Sequence, residues 1–281
     1  MERAVANPVF NNSPVFRDPS KRKGGGTAAP ASTIDAATLE QMYGAPSATA
    51  RQTGRLTYED VIVKTGGLLA VLVVVAAATW AVTPQLPWLY VVGALVGLVL
   101  GLVNAFRREP SPVLIVLYAV AQGVFVGGIS NIFTNWVVPA TSDGTAKPIV
   151  AQAILATIVT FAAALLLFRS GKVRVTPKFT KWLIVAMVGY LAFSVINLVL
   201  SFFLPSDGFG PLRNGGWGLL AGLFAVGLAA ACLIVDFDSI KRGVEAGAPA
   251  KFAWSAAFGL IVTLVWLYLE FLRLFAMLQR S

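Results

Sequence analysis

The stretch WLYLEFLRLF, residues 266–275, places one carboxylate inside an apolar run that extends from Phe252 to Leu278. A run of this length is sufficient for a helix that crosses a bilayer. An ionised group near the centre of such a helix costs about 3 kcal/mol or more unless it has a partner or water. Glu270 is therefore a candidate functional residue, and the run predicts a membrane helix with a polar contact inside a bundle.

A second acid ends the preceding apolar run. Trp217 to Val235 leads directly into DFDSIKRG, residues 236–243, so Asp236 lies at the end of another predicted helix. Two carboxylates that meet in a bundle can share a proton and then titrate as a pair. The two runs together favour a polytopic membrane protein whose activity is set by acids inside the bundle.

Asp236 and Asp238 point about 200° apart on a helix, so they cannot both face the same partner. Asp238 has Lys241 and Arg242 at the spacing of surface ion pairs, which predicts a solvated position. Asp236 shares its face with apolar residues and is the better candidate for the interior. The alternative that both acids only cap the inner end of a helix stays open.

Arg273 gives Glu270 a second kind of partner. It follows Glu270 by three residues, so the two can form a local ion pair, or the arginine can extend outward along the helix. The sequence alone leaves this alternative open beside a pairing of Glu270 with Asp236.

The composition is that of a membrane protein. Of the 281 residues 57% are hydrophobic and 12% are charged, whereas about a quarter are charged in soluble domains. The net charge of +9 comes from cations between apolar runs, which does not favour nucleic-acid binding. The sequence has no histidine and one cysteine, Cys232, within an apolar run. No catalytic or phosphate-binding motif is present, so we expect neither an enzyme nor a cofactor.

The apolar runs predict an all-α fold, a transmembrane bundle of seven helices. The predicted spans cover approximately residues 65–82, 88–106, 110–136, 149–168, 182–204, 217–235 and 252–278. Gly93, Gly97 and Gly101 recur at four-residue spacing, which predicts close helix packing. The third span also carries polar residues, which indicate either interhelical hydrogen bonds or a wet path.

The cations between the spans predict the orientation. Ten of them fall on one side, at Arg107, Arg108, Arg169, Lys172, Arg174, Lys178, Lys181, Lys241, Arg242 and Lys251. Only Lys147 and Arg213 fall on the other side. Cytoplasmic loops are enriched in cations, so we expect the amino terminus to be cytoplasmic. Whether the last segment spans or re-enters stays open.

Residues 1–58 have a different composition from the rest. They are rich in Pro, Ser, Thr, Ala and Gly, carry the basic patch SKRKGGG (residues 20–26) and lack a sustained apolar period. We predict a disordered cytoplasmic arm followed by a transmembrane domain over residues 59–281. The arm has no signal-peptide pattern, and a bacterial plasma membrane is the expected location.

Two motifs resemble the transmembrane BAX inhibitor motif family, whose bacterial branch includes the YccA-like proteins. LYLEFLRLF (residues 267–275) is similar to the LYLDFINLF-type segment of that family's last helix. IVDFDSIKR (residues 234–242) is similar to the end of the preceding helix. The resemblance covers roughly residues 60–281, and the arm before it has no recognised counterpart.

The resemblance implies a pH-sensitive calcium leak. In the picture that this family implies, two acids of the last two helices share a proton and hold the pore shut, deprotonation loosens them, and an arginine at the inner end of the second helix latches onto the aspartate. By position in the matching motifs, Asp236 and Glu270 correspond to the two gate acids, and Arg107 corresponds to the latch arginine. Arg108 is the second candidate for the latch. Asp238, Arg108 and Arg273 are accessory candidates. Asp236 and Glu270 would then be the calcium ligands, since calcium prefers carboxylate oxygens.

The interval between the acids limits this pairing. Asp236 and Glu270 are 34 residues apart. A straight last helix beginning at Pro249 would place Glu270 about 30 Å from the inner surface, far from Asp236. Pairing therefore requires residues 243–256 to lie along the inner interface, or the last helix to break.

Two other functions remain open at this point. A proton-coupled transporter could use the same carboxylates as a relay. A regulator without transport, for example of a membrane protease, would instead need a membrane protein partner. The lipid bilayer and calcium ions are the expected partners of a leak, and the sequence leaves oligomeric state open.

Overall fold

The computed structural model describes residues 54–137, 148–173, 175–204, 209–213 and 215–280. Seven helices in these ranges are long and apolar enough to cross a membrane, which confirms the predicted all-α bundle. They are α1 (Tyr58–Val82), α2 (Leu89–Phe106), α3 (Pro112–Ile132), α4 (Ile149–Arg169), α5 (Pro177–Leu200), α6 (Gly215–Glu245) and α7 (Ala253–Arg280). The predicted disordered arm lies almost entirely outside the described residues.

Helix α7 lies at the centre of the bundle. It packs against α1, α3, α4 and α6, while α3 packs on its other sides against α1 and α2. Helix α5 is peripheral, because its main contacts are with α6 and with a short 3-10 turn, Pro211–Arg213. Only Leu183 and Asn197 of α5 are buried. The central position of α7 is consistent with a membrane helix that carries an acid in its interior.

Glycines allow the close approach of α3 to its neighbours, as the four-residue spacing predicts. A Cβ atom at Gly93 of α2 would lie 2.7 Å from the backbone nitrogen of Phe125. A Cβ atom at Gly123 of α3 would lie 2.7 Å from the carbonyl oxygen of Leu72 in α1. Lipid tails are as apolar as the helix surfaces, so the hydrophobic effect does not drive membrane helices together. Close backbone approach of this kind supplies the van der Waals contacts that hold them together instead.

The last two helices differ from their predicted bounds in a way that affects the site. Helix α6 continues through the DFDSIKRG segment to Glu245, and α7 runs without a break from Ala253 to Arg280. The polar DFDSIKRG residues remain helical because their ion pairs are local to the helix, as in Asp238 with Arg242. The break or long interfacial segment that the acid pairing required is therefore absent here.

The connection between α6 and α7 is joined to the segment before α1. Leu56 donates its backbone N–H to the carbonyl of Ala248 at 2.7 Å, and Ala250 donates to Gly54 at 2.8 Å. These bonds form an isolated antiparallel bridge, and the Leu56 side chain is buried beside it. The first described residues thus fix the end of the bundle at which α6 turns into α7.

Candidate functional site

Glu270 is buried, and four side chains with hydrogen-bond donors surround its carboxylate. We call this group the Glu270 cluster: Glu270, Arg213, Arg273, Tyr190 and Trp266. Arg273 Nη1 donates to both carboxylate oxygens at 3.0 Å. Trp266 Nε1 donates at 3.2 Å, and the Tyr190 hydroxyl donates to the same oxygen, Oε1. Arg213 Nη1 lies 3.5 Å from Oε2. The local pairing with Arg273 that the sequence left open is present, together with a second arginine.

Arg213 reaches the cluster from outside the helices. It ends the 3-10 turn between α5 and α6, yet it is only 3% exposed. Its guanidinium carbon lies 5.2 Å and 5.4 Å from the ring centroids of Tyr190 and Phe193, and its Nη2 donates to the hydroxyls of Tyr190 and Ser194. Such cation–π contacts compensate part of the lost hydration of a buried guanidinium.

Asn197 of α5 fixes the turn that carries Arg213. Its amide nitrogen donates to the carbonyl of Phe209 at 2.9 Å, and its amide oxygen accepts from the backbone nitrogen of Leu212 at 2.9 Å. Gly218 at the start of α6 permits the same turn, because a Cβ there would collide with the Arg213 backbone. Packing and side-chain hydrogen bonds therefore direct this arginine inward.

Asp236 lies in a separate place, between α6 and the middle of α7. It is half-buried, and its carboxylate accepts a hydrogen bond from the Thr263 hydroxyl at 2.8 Å. Within the part of the chain that the structure describes, no lysine or arginine pairs with it. An acid in a membrane helix that lacks a counter-ion is unusual and expensive when ionised.

The structure does not bring Asp236 and Glu270 together. Thr263, the partner of Asp236, precedes Glu270 by seven residues on the continuous helix α7, which is about two turns or 10 Å along the axis. Seven residues return to nearly the same face of a helix. Asp236 of α6, through its partner Thr263, and Glu270 are therefore found at the same face of α7 but at different depths, and each acid has its own partners.

The remaining predicted site residues lie at the end where α6 turns into α7. Arg107 is exposed, and its Nε donates to the carbonyl of Glu109 at 3.3 Å rather than to Asp236. Arg108 is exposed, and its side chain forms no hydrogen bond or ion pair with the described residues. Asp238 pairs with Arg242 at 2.9 Å, as its spacing predicts. In this conformation the latch is therefore not engaged.

The two carboxylates expected to bind calcium do not form a joint site. No group of three or more His, Cys, Asp or Glu side chains occurs within the described ranges. A resident calcium ion usually has six or more oxygen ligands. The arrangement of Asp236 and Glu270 is therefore not that of a fixed calcium site.

Two polar residues of α3 make interhelical hydrogen bonds. The hydroxyls of Ser130 and Tyr268 are 2.6 Å apart, which links α3 to α7. Asn131 donates to the carbonyl of Trp80 in α1 at 3.1 Å. Hydrogen bonding between helices accounts for Ser130 and Asn131, whereas the buried Oε1 of Gln122 on the same helix has no hydrogen-bond partner among the described residues.

A cavity of about 1000 Å³ opens beside the Glu270 cluster. It is bounded by α3, α5, α7 and the turn that carries Arg213, and all five residues of the cluster line it. The charged residues that line it in the described part of the chain are two arginines and one carboxylate, which leaves one positive charge in excess within this set. The cluster therefore combines buried charge with access to a space that can hold a ligand.

Sequence reasoning missed Arg213, Tyr190 and Thr263. Arg213 was counted only as a loop cation, although its position in a Gly/Pro-rich turn between two apolar runs could have suggested an inward path. Tyr190 gave no signal, because one tyrosine in an apolar helix is ordinary. Thr263 could have been found from its seven-residue spacing to Glu270, which predicts a shared helix face.

Comparison with known families identifies the group to which the chain is related. The family model described as "Bax inhibitor 1 like" matches residues 7–280. The match confirms the family resemblance and includes nearly all of the arm, for which we expected no counterpart. No curated protein matches the chain. Because the family match covers almost the whole sequence, the chain belongs to the Bax inhibitor 1 like family and is a multi-pass membrane protein.

Proposed function

We propose that the protein is a pH-sensitive cation leak, with calcium as the expected ion. It would lie in a bacterial plasma membrane with a cytoplasmic amino terminus. Family membership and the seven-helix bundle support this class of function. The proposal rests on Asp236, an acid inside the bundle for which the described residues provide no counter-ion. The proposal includes no enzymatic activity.

Asp236 is the group to which we assign the pH response. It links α6 to the central helix α7 through a single hydrogen bond with Thr263. Gain or loss of one proton there changes the charge between the two helices, and no nearby cation within the described residues offsets that change. A change in local charge can bias a bundle between closed and open packings.

Glu270 has a different role in this proposal. Two arginines and two neutral donors surround its carboxylate, so its negative charge is compensated. We propose that its ion pairs with Arg213 and Arg273 hold the Arg213 turn against α7, at the opposite end of α7 from the α6–α7 connection. We call these ion pairs the electrostatic lock. Asp236 and Glu270 thus act separately, in place of the shared proton that the sequence suggested.

The direct test is calcium flux into proteoliposomes that contain the purified full chain. We expect flux to increase several-fold as the pH is raised from mildly acidic to mildly alkaline, because deprotonation of Asp236 places a negative charge between α6 and α7 that no described cation offsets. Asp236→Asn should give a flux that no longer depends on pH. The matched control is Asp238→Asn, which removes the same charge from an acid that pairs with Arg242 on the same helix.

Three outcomes separate the alternatives. A pH response that survives in Asp236→Asn would refute the assignment of that residue. Wild-type vesicles that leak no more than empty ones would refute the channel and favour a regulator without transport. Calcium flux that requires an imposed proton gradient and saturates would favour a proton-coupled transporter instead.

A further inference from the structure

The cavity beside the Glu270 cluster has a polar end and an apolar end. Along α5 it is lined first by Ile184, Met187 and Val188, and then by Ser194 and Asn197 near the Arg213 turn. Ile184 and Ser194 are ten residues apart, or about 15 Å along the helix. That length is about half of the hydrocarbon core of a bilayer, or the depth of one leaflet.

The cavity opens sideways towards the lipid. Its α5 wall includes Ile184, Val188 and Leu191, whose side chains are more than half exposed in the isolated chain. A peripheral helix with few contacts to the bundle leaves a gap through which an acyl chain can enter. The apolar part of the wall is therefore continuous with the hydrocarbon of the surrounding membrane.

Among the residues that the structure describes, the polar end has more positive than negative charge. Glu270 neutralises one of the two arginines that line this end, Arg213 and Arg273, and one positive charge remains within this set. Among the described residues, all hydrogen bonds of Arg273 come from its Nη1, and its side chain is 28% exposed. Among the described residues, the Nε of buried Arg213 has no hydrogen-bond partner, and its Nη1 makes only the ion pair with Glu270 at 3.5 Å. Guanidinium N–H groups with unused hydrogen-bonding capacity beside a cavity favour an anionic group.

We propose that this cavity binds an anionic phospholipid from the adjacent leaflet. The phosphate lies against Arg273 and Arg213, and one acyl chain follows the apolar wall of α5 towards Ile184. The volume of about 1000 Å³ is at the upper end of the range for ligand sites. The bound lipid fills the gap between α5 and α7, and so supports the position of the Arg213 turn. This site is independent of any leak activity.

Native mass spectrometry of the detergent-purified full chain tests the proposal, with phosphatidylglycerol and phosphatidylcholine of identical acyl chains as probes. We expect the first bound phosphatidylglycerol to be retained about fivefold more strongly than phosphatidylcholine, the factor for one additional charge contact. Arg273→Gln should reduce this preference to near one. Lys181→Gln removes the same charge from an exposed site at the other end of α5 and should leave the preference unchanged.

A further variant, Val188→Trp, tests the acyl-chain part of the site. Val188→Trp places a large ring in the apolar end and leaves the arginines intact, so we expect weaker binding of both lipids with the preference retained. Equal binding of both lipids to the wild type would overturn the proposal. So would tighter binding of oleate than of phosphatidylglycerol, which would identify a fatty-acid site. A preference that Lys181→Gln abolishes as fully as Arg273→Gln would show general charge attraction and also overturn it.

Discussion

Replacing Glu270 by glutamine should destabilise the folded bundle strongly. The substitution keeps the side-chain shape but leaves Arg213, which is 3% exposed, and Arg273 without a carboxylate. The charge of the cluster rises from +1 to +2 around the buried Arg213. Removing one partner of a buried ion pair typically costs about 3–5 kcal/mol. We expect a loss near the lower bound, about 3 kcal/mol, because glutamine can still accept hydrogen bonds.

Replacing Arg213, one arginine partner of Glu270, should lower the free energy of unfolding by a smaller amount. Arg213→Gln leaves Glu270 paired with Arg273, so the charge of the cluster falls from +1 to 0. The loss then consists of hydrogen bonds to Tyr190 and Ser194 and of the cation–π contacts, about 2 kcal/mol in total. The double variant should lose about 1–2 kcal/mol less than the sum of the two single variants, because the residues contact each other.

Unfolding by SDS in mixed micelles can measure this series. Glu245→Gln serves as the control, because it removes a carboxylate from an exposed pair with Lys241, and we expect a change below about 0.5 kcal/mol. Equal stability of Glu270→Gln and the wild type would refute the lock. A larger loss for Arg213→Gln than for Glu270→Gln would show that cation–π packing, and not charge balance, dominates the cluster.

Three further outcomes follow from the packing and the connections. Gly127→Ala should cost about 1–3 kcal/mol in the same unfolding assay, because its Cβ would collide with the α1 backbone, whereas Gly67→Ala meets open space and should be neutral. Ser130→Ala should cost about 1 kcal/mol through loss of the Tyr268 hydroxyl contact, and Tyr268→Phe should cost a similar amount. The hydrogen bond from Lys251 and its positive charge lower the pKa of exposed Glu109. The stabilisation from this pair is therefore present at neutral pH and is lost as the pH falls through that lowered pKa. In acid, Glu109→Gln and the wild type should have equal thermal stability.

Much of the fold follows from local sequence properties. Apolar runs separated by charged or proline-containing segments specify seven helices, because each run is long enough to span the hydrocarbon core. Glycine spacing also predicted close contacts, since Gly93 and Gly97 do face α3. These features depend on one helix at a time, or on one face of it, and can therefore be derived from the sequence.

The partners of the acids could not be derived in the same way. They depend on the axial offset between two antiparallel helices, which the length of the connection determines. Asp236 lies nine residues before the end of α6 and Thr263 lies ten residues after the start of α7. The two are therefore at nearly equal depth, about 14–15 Å from the connection. Glu270 is seven residues deeper and faces a different level of the bundle.

The position of Arg213 required tertiary information of another kind. Its direction depends on Asn197, which binds the turn from α5, and on Gly218, which allows the turn to approach α6. Neither contact is periodic in the sequence. A cation counted as part of a loop can therefore become a buried partner of a membrane acid.

Infrared difference spectroscopy of the reconstituted protein tests the separation of the two acids most directly. The carboxyl C=O band reports protonation when vesicles are shifted between mildly alkaline and mildly acidic pH. We expect one titrating band from the bundle that is absent in Asp236→Asn and retained in both Asp238→Asn and Glu270→Gln. A band that both Asp236→Asn and Glu270→Gln abolish would show that these acids share one proton, and would contradict their assignment to separate sites.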